Sequence, residues 1–217
     1  MHPTGTRAAL RLPSGARGFT LIELTVVLGV IVTLALVLTP SIANYLSDAR
    51  LSRARNDTRT ITAAITQFNR DTGLYPLWVQ SQNGGPGTAA DKIDLLISRG
   101  NIPAAVQSSL WITGSSTGLT DVLVFNSPAH IVRTAASNLG WNGPYMSSVI
   151  DADPWNNRYA VNVALLDSTN GTMTMAGTPK NAVWVLSAGP NGTLETAWAQ
   201  AATTAAVGGD DIGFRLQ

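Results

Sequence analysis

The chain has 217 residues, 45% of them hydrophobic and only 12% charged, about half the charged share of an average soluble domain. Fourteen Lys and Arg against thirteen Asp and Glu leave a net charge of +1, which excludes the strong basic field that duplex DNA binding draws on. There is no cysteine, so a disulfide framework, a thiolate nucleophile and Cys-ligated zinc or iron-sulfur centres are excluded as well.

The charges are spread unevenly. Arg7, Arg11 and Arg17 come before any acid, and between Glu23 and Asp48 the only ionisable side chain is Tyr45. Leu24 to Leu38 is almost wholly apolar, with Thr25 and Thr33 able to bond back to a helix backbone. Extended through Phe19 and Ile42, the stretch reaches membrane-spanning length. The basic start keeps that end in the cytoplasm by the positive-inside rule, so the rest should face outward. A secretory signal peptide has a similar outline, but no Ala-x-Ala site precedes the polar region, and Pro40-Ser41 lead into a helical pattern. Glu23 is the outlier. A carboxylate at the start of a spanning helix costs about 3 kcal/mol or less on insertion scales, and such a group needs a partner or a function.

Gly18-Phe19-Thr20-Leu21-Ile22-Glu23 resembles the processing signal of type IV pilins and pseudopilins. The resemblance implies that a prepilin peptidase cuts between Gly18 and Phe19, that Phe19 becomes an N-methylated amino terminus, and that the apolar helix is kept. It also gives Glu23 a partner, the positive Phe19 terminus of a neighbouring subunit during assembly.

Beyond the apolar run, Leu51, Ala54, Thr58, Ile61, Ile65 and Phe68 recur at steps of three and four, one face of a continuing helix. Gly73 offers the left-handed residue that usually ends one. Such a helix spans about fifty residues, about 75 Å at 1.5 Å each, with Gly29 and Pro40 expected to kink or loosen it. Arg50, Arg53, Arg55 and Arg59 are interrupted by Asp48 and Asp57 and read as a solvated face, with no nucleic-acid partner expected.

From Thr72 onward there are six basic and nine acidic residues. Gln80 to Thr88 is a polar, Gly-rich loop. Thr88 caps a predicted helix from Ala89 to Arg99, ended by Gly100, with Ile93, Leu96 and Ile97 inward. Asp121 to Phe125 reads as a strand, and Ser127-Pro128 starts a helix towards Leu139. Asp153-Pro154 initiates a turn with Trp155 as a large buried anchor. Arg158 to Leu166, Met173 to Ala176 and Ala182 to Ser187 read as strands of a sheet facing the long helix.

Two segments narrow the resemblance. Trp141 to Tyr145 followed by Asp153-Pro154-Trp155-Asn156-Asn157-Arg158-Tyr159 is similar to the DPWGNxY segment of the major pseudopilin of type II secretion systems. Ser187 to Gly192 followed by Gly208-Gly209-Asp210-Asp211-Ile212 resembles that family's calcium loop. The resemblance implies Ca2+ held by Asn191, Asp210 and Asp211 with carbonyls near Ala188 and Gly208, carboxylate and carbonyl oxygens being the donors calcium prefers. The family usually has aspartate where Asn191 stands, and the intervening loop is longer here. The alternative is an Asp pair that serves the turn with no metal.

Nothing points to catalysis. His2 and His130 are the only histidines, and no Walker A, dinucleotide fingerprint or His-x-x-x-His spacing occurs. His130 reads as an ordinary surface or cap residue. Trp111, Trp141, Trp155, Trp184 and Trp198 read as core or subunit-contact anchors.

The expected architecture is α+β: a cleaved leader (1–18), a transmembrane and filament-core helix (19–42), its extracytoplasmic continuation (43–73) and a head (74–217) with a small antiparallel sheet, a pilin-like ladle. By resemblance the protein is a non-enzymatic subunit of a type II secretion pseudopilus. It would be held in a bacterial inner membrane with its N-terminus cytoplasmic and its head periplasmic. Its partners would be the prepilin peptidase, copies of itself, other pseudopilins and an assembly platform with a cytoplasmic ATPase. A type IV pilus or competence minor pilin is the alternative within the class, and a membrane-tethered periplasmic enzyme or binding module the alternative outside it.

Overall fold

The computed structural model describes residues 18–76, 92–127, 129–130, 132–134, 138–166 and 181–216. Its first helix, α1 (Leu21–Thr72), contains Gly29 and Pro40 and is ended by neither. The chain falls into two compact units, Met1–Leu46 and Ser47–Gln217. In the first, every described residue is exposed, and α1 supplies a segment long and apolar enough to cross a membrane. Its threonines turn inward on the backbone: Thr25 Oγ1 donates to Ile22 O at 2.9 Å, Thr33 Oγ1 to Val30 O at 2.8 Å and Thr39 Oγ1 to Ala35 O at 2.7 Å. Each hydroxyl is thus satisfied without water, as an apolar surrounding requires.

In the second unit the amphipathic stripe is real. Ala54, Thr58, Ile61, Ile65 and Phe68 are buried, joined by Thr62, Ala64 and Asp71. Burying each of Ile61, Ile65 and Phe68 contributes roughly 1.5–3 kcal/mol. Gly73 takes φ +72° and its N–H bonds Asn69 O at 2.8 Å, closing the helix at the expected place.

A five-stranded sheet carries the remaining core. The strands are β1 (Leu95–Ile97), β3 (Ser116–Gly118), β4 (Ala160–Val161), β5 (Trp184–Ser187) and β7 (Ile212–Arg215), in the order β3-β1-β4-β5-β7. A separate ribbon pairs β2 (Ala104–Ala105) in parallel with β6 (Thr193–Leu194). The main sheet is mixed and not the expected antiparallel one, because β1 runs parallel to β3 with Leu95 opposite Ser116. The other three pairings, β1 with β4, β4 with β5 and β5 with β7, are antiparallel. Edge-to-face Trp111 and Trp198 rings, 4.9 Å apart, anchor the core, and Trp111 Nε1 donates to Thr196 O at 2.9 Å.

Several local expectations give way to pairing. Residues 95–97 of the predicted Ala89–Arg99 helix form β1: Leu95 and Leu96, adjacent in sequence, are both fully buried, as in a central strand covered on both faces. Asp121–Phe125, expected as a strand, is a π-helical turn that Asn126 ends at φ +51°. No helix forms in the described part of Ser127–Leu139; there Val132 bridges Trp141 instead. Arg158 to Leu166 contains only the two-residue β4 before a short 3-10 helix, Val163–Leu166. Trp155 is only half-buried, and the anchoring falls to Trp111, Trp184 and Trp198. Gln80 to Thr88 and Met173 to Ala176 lie outside the described residues.

Candidate functional site

The start of α1 is a capping box that links Glu23 to its own chain. Thr20 N–H donates to Glu23 Oε2 at 2.9 Å, and Glu23 N–H donates to Thr20 Oγ1 at 3.2 Å. Thr20 Oγ1 also donates to the same carboxylate oxygen at 2.8 Å. The pattern satisfies orphan N–H groups of the first turn and sets a negative charge at the positive end of the helix dipole. Thr20 is therefore a participant that charge and hydropathy pass over, although Thr-x-x-Glu ahead of an apolar run is its sequence signature. Gly18 and Phe19 lie just outside the helix, and Phe19 is exposed.

The second site joins the two C-terminal segments that sequence singled out. Asp153 makes the turn: its Oδ1 accepts from Trp155 N at 2.9 Å and Asn157 N at 2.8 Å. Its Oδ2 accepts from Ser187 Oγ at 2.6 Å, at the end of β5. Ser187 Oγ in turn accepts from Gly189 N at 3.2 Å. Gly189, at φ +63°, has no room for a Cβ because the Asp210 backbone carbonyl occupies that space. Asn191 N–H then donates to Asp210 Oδ2 at 3.1 Å.

Asp211 organises the long loop that separates these segments. Its Oδ2 accepts from Glu195 N at 2.9 Å, Thr196 N at 2.7 Å and Thr196 Oγ1 at 2.6 Å, while Gly208 N returns to Thr196 Oγ1 at 3.0 Å. Asn191, Asp210 and Asp211 are thus brought to one place. Gly208 O is occupied by Asp211 N at 3.1 Å. Burial pushes the Asp211 carboxyl above the usual carboxylate range, and the Glu195 charge adds to the push, against the opposing pull of its three donors.

Two features bear on whether a cation fits. The side-chain oxygens Asp210 Oδ1 and Asp211 Oδ1 are buried without a hydrogen-bond partner, which is costly for a carboxylate unless a cation or proton meets it. Among the described residues no three His, Cys, Asp or Glu side chains already enclose a common point. The loop therefore has unsatisfied donor oxygens but is not a finished cage. The Asn191 side chain is already engaged: its Oδ1 accepts from Thr193 N at 2.6 Å and its Nδ2 donates to Glu195 Oε2 at 3.2 Å.

His130 is not a surface residue. It is buried, its ring meets Phe68 edge-on at 5.0 Å, and its Nε2 has no partner; burial pushes it down to about 4. Compared with family models, curated proteins and solved structures, the chain shows no match.

Proposed function

We propose that the protein is a structural subunit of a type II secretion pseudopilus, cut between Gly18 and Phe19 and polymerised through α1. The observation that carries this reading is an apolar segment of α1 whose side chains are exposed among the described residues and that opens on a carboxylate. A span made only to anchor has no need of Glu23. A filament core does, since each helix then exchanges lipid for its neighbours' helices.

In the free chain Glu23 is held by Thr20. On assembly it would trade those hydrogen bonds for the charged Phe19 terminus of a neighbour, a desolvated pair strong enough to set axial register and costly to leave half-made. The head would follow the helix into the periplasmic filament, whose growth helps drive export as a piston or screw. Calcium would be held by Asp210 and Asp211, whose Oδ1 atoms are buried without a hydrogen-bond partner. It would supply charge neutralisation that ties the Gly208–Ile212 segment to the Ser187–Gly192 turn, a role that suits a chain with no disulfide.

The test is mass spectrometry of the chain co-expressed with a prepilin peptidase and recovered from membranes. A methylated Phe19 terminus is expected. An intact leader, or a cut after Ser41, would overturn the reading.

A further inference from the structure

We propose that two flanks of α1 in the head fit one another between copies, the carboxylates of one flank receiving Arg59 from the opposite flank of a second copy. The inference rests on the filament reading above and deepens it, because that reading joins copies through the apolar segment alone. The buried stripe from Ala54 to Phe68 leaves a flank on each side of it. Arg53, Asp57 and Thr60 recur on one side and Arg55, Arg59, Thr66 and Arg70 on the other, roughly 140° away around the axis at about 3.6 residues per turn.

The first flank is acidic and recessed. With residues 146–152 it forms a cleft of about 270 Å³ whose walls include Arg53, Asp57, Ser148, Asp151 and Tyr159. Asp57 is held in place: the buried Tyr159 donates its phenol to Asp57 Oδ2 at 2.8 Å, and Arg53 Nε approaches the same oxygen at 3.5 Å. Among the described residues no hydrogen bond engages Asp57 Oδ1 or the exposed Asp151 carboxylate. Two acids against Arg53 leave the cleft net negative, with acceptor oxygens for a planar guanidinium. The second flank is basic. Arg59 lines two grooves beside Phe214, and its guanidinium lies over the Phe214 ring at 5.7 Å, which orients it. Arg55 and Arg70 stand along the same side, and none of the three has a salt bridge among the described residues, where Arg53–Asp57 is the one found. The acid that lines this side, Asp211, has its Oδ2 engaged by Glu195 and Thr196.

A lone exposed ion pair contributes little to stability or association, and two features set this contact apart. Asp57 and Arg59 are each oriented beforehand, one by a buried phenol and the other by an aromatic ring, so less side-chain freedom is lost on pairing. The cleft also shields the pair from part of the surrounding water, which strengthens the attraction. Because the two surfaces differ and lie on separate flanks, the contact is heterologous. Each copy in a pair keeps one unused surface for the next, so the series extends beyond a dimer.

The chain has no cysteine, so single cysteines report the contact without background. Ser148→Cys marks the cleft and Ala63→Cys the basic flank, both at exposed positions. The full chain is expressed in membranes with a prepilin peptidase and treated with a short bismaleimide. The chain carrying both substitutions is expected to give a ladder of dimers, trimers and higher species. The two single variants mixed should stop at dimers, and each alone should give none. In the doubly substituted chain Arg59→Glu should cut the ladder at least about tenfold, and adding Asp151→Arg should restore it, with parental tryptophan melting throughout. Arg59→Gln, which removes the charge without reversing it, should fall between parent and Arg59→Glu. Dimers from either single variant alone would show an isologous contact and overturn the inference, as would a parental ladder in Arg59→Glu. No ladder from chains that carry a methylated Phe19 and form filaments would overturn it too, and leave the filament reading standing. An intact leader would overturn the filament reading itself.

Discussion

His130 gives the head a pH dependence that follows from its surroundings alone. Neutral imidazole is comfortable against the Phe68 edge, whereas the imidazolium would be buried with Nε2 unpartnered. Its pKa falls from the ordinary 6.5 to about 4 in the folded chain. Above the unfolded value both states are neutral and the residue costs nothing. As pH drops below 6.5 the unfolded chain takes up a proton that the folded chain refuses, so stability is lost until about pH 4 and levels off below it. Between about pH 7.5 and 4.5 the linkage integral comes to roughly 2.5 kcal/mol, or about 5–10 °C in melting temperature for a domain of this size. All six tryptophans lie beyond residue 46, so their fluorescence reports the second unit. The measurement is the difference in pH slope between the parent and His130→Phe, in which the carboxylate contributions common to both cancel. The parent should lose about 2 kcal/mol more than the variant on acidification. Parallel slopes would refute the reasoning and mean that the imidazole is protonated, or reached by water, in the folded head.

On the proposed function, Glu23→Ala should insert into membranes normally and be incorporated poorly into filaments, measured by shearing and immunoblotting beside the parent; normal filament yield would contradict the proposed role. Asp153→Asn keeps the shape of the turn but weakens the acceptor for Ser187, Trp155 and Asn157. It should cost about 2–3 kcal/mol, read as a drop in the denaturation midpoint, and a change below 0.5 kcal/mol or so would show that the turn holds without the charge. Phe68→Ala removes a fully buried ring and should cost about 3–5 kcal/mol by chemical denaturation.

The hydrogen bonds between Asp153, Ser187 and Gly189 explain why two segments more than thirty residues apart belong together. One is the turn that orients β4, the other the start of the C-terminal loop. The loop in turn is laid down around Asp211, whose Oδ2 accepts from Glu195 N, Thr196 N and Thr196 Oγ1. An acid at that position is destabilised by burial and held only by its donors, so anything that neutralises the neighbouring charges stabilises the whole loop.

Features governed by neighbours in sequence were legible from the residues. The apolar run, the buried stripe from Ala54 to Phe68, the stop at Gly73 and the Asp153 turn depend on contacts a few residues apart, whose geometry a helix or turn prescribes. The Thr20–Glu23 box was equally local and open to the same reading. Other features were settled only by distant partners. Leu95–Ile97 is a strand because Ser116–Gly118 and Ala160–Val161 flank it, although its own pattern suits a helix. Asp121–Phe125 turns as a π-helix despite strand-forming valines, since β-propensity expresses packing context more than the backbone's own preference. In the C-terminal loop, Asp210 and Asp211 stood out as a pair, whereas Glu195, which is hydrogen-bonded to both from fifteen and sixteen positions away, did not. His130 reads as a surface residue from its own neighbours; Phe68, distant in sequence, covers it. Periodicity specifies which face of an element is apolar; which faces meet, and which charge is thereby buried, is decided by tertiary packing.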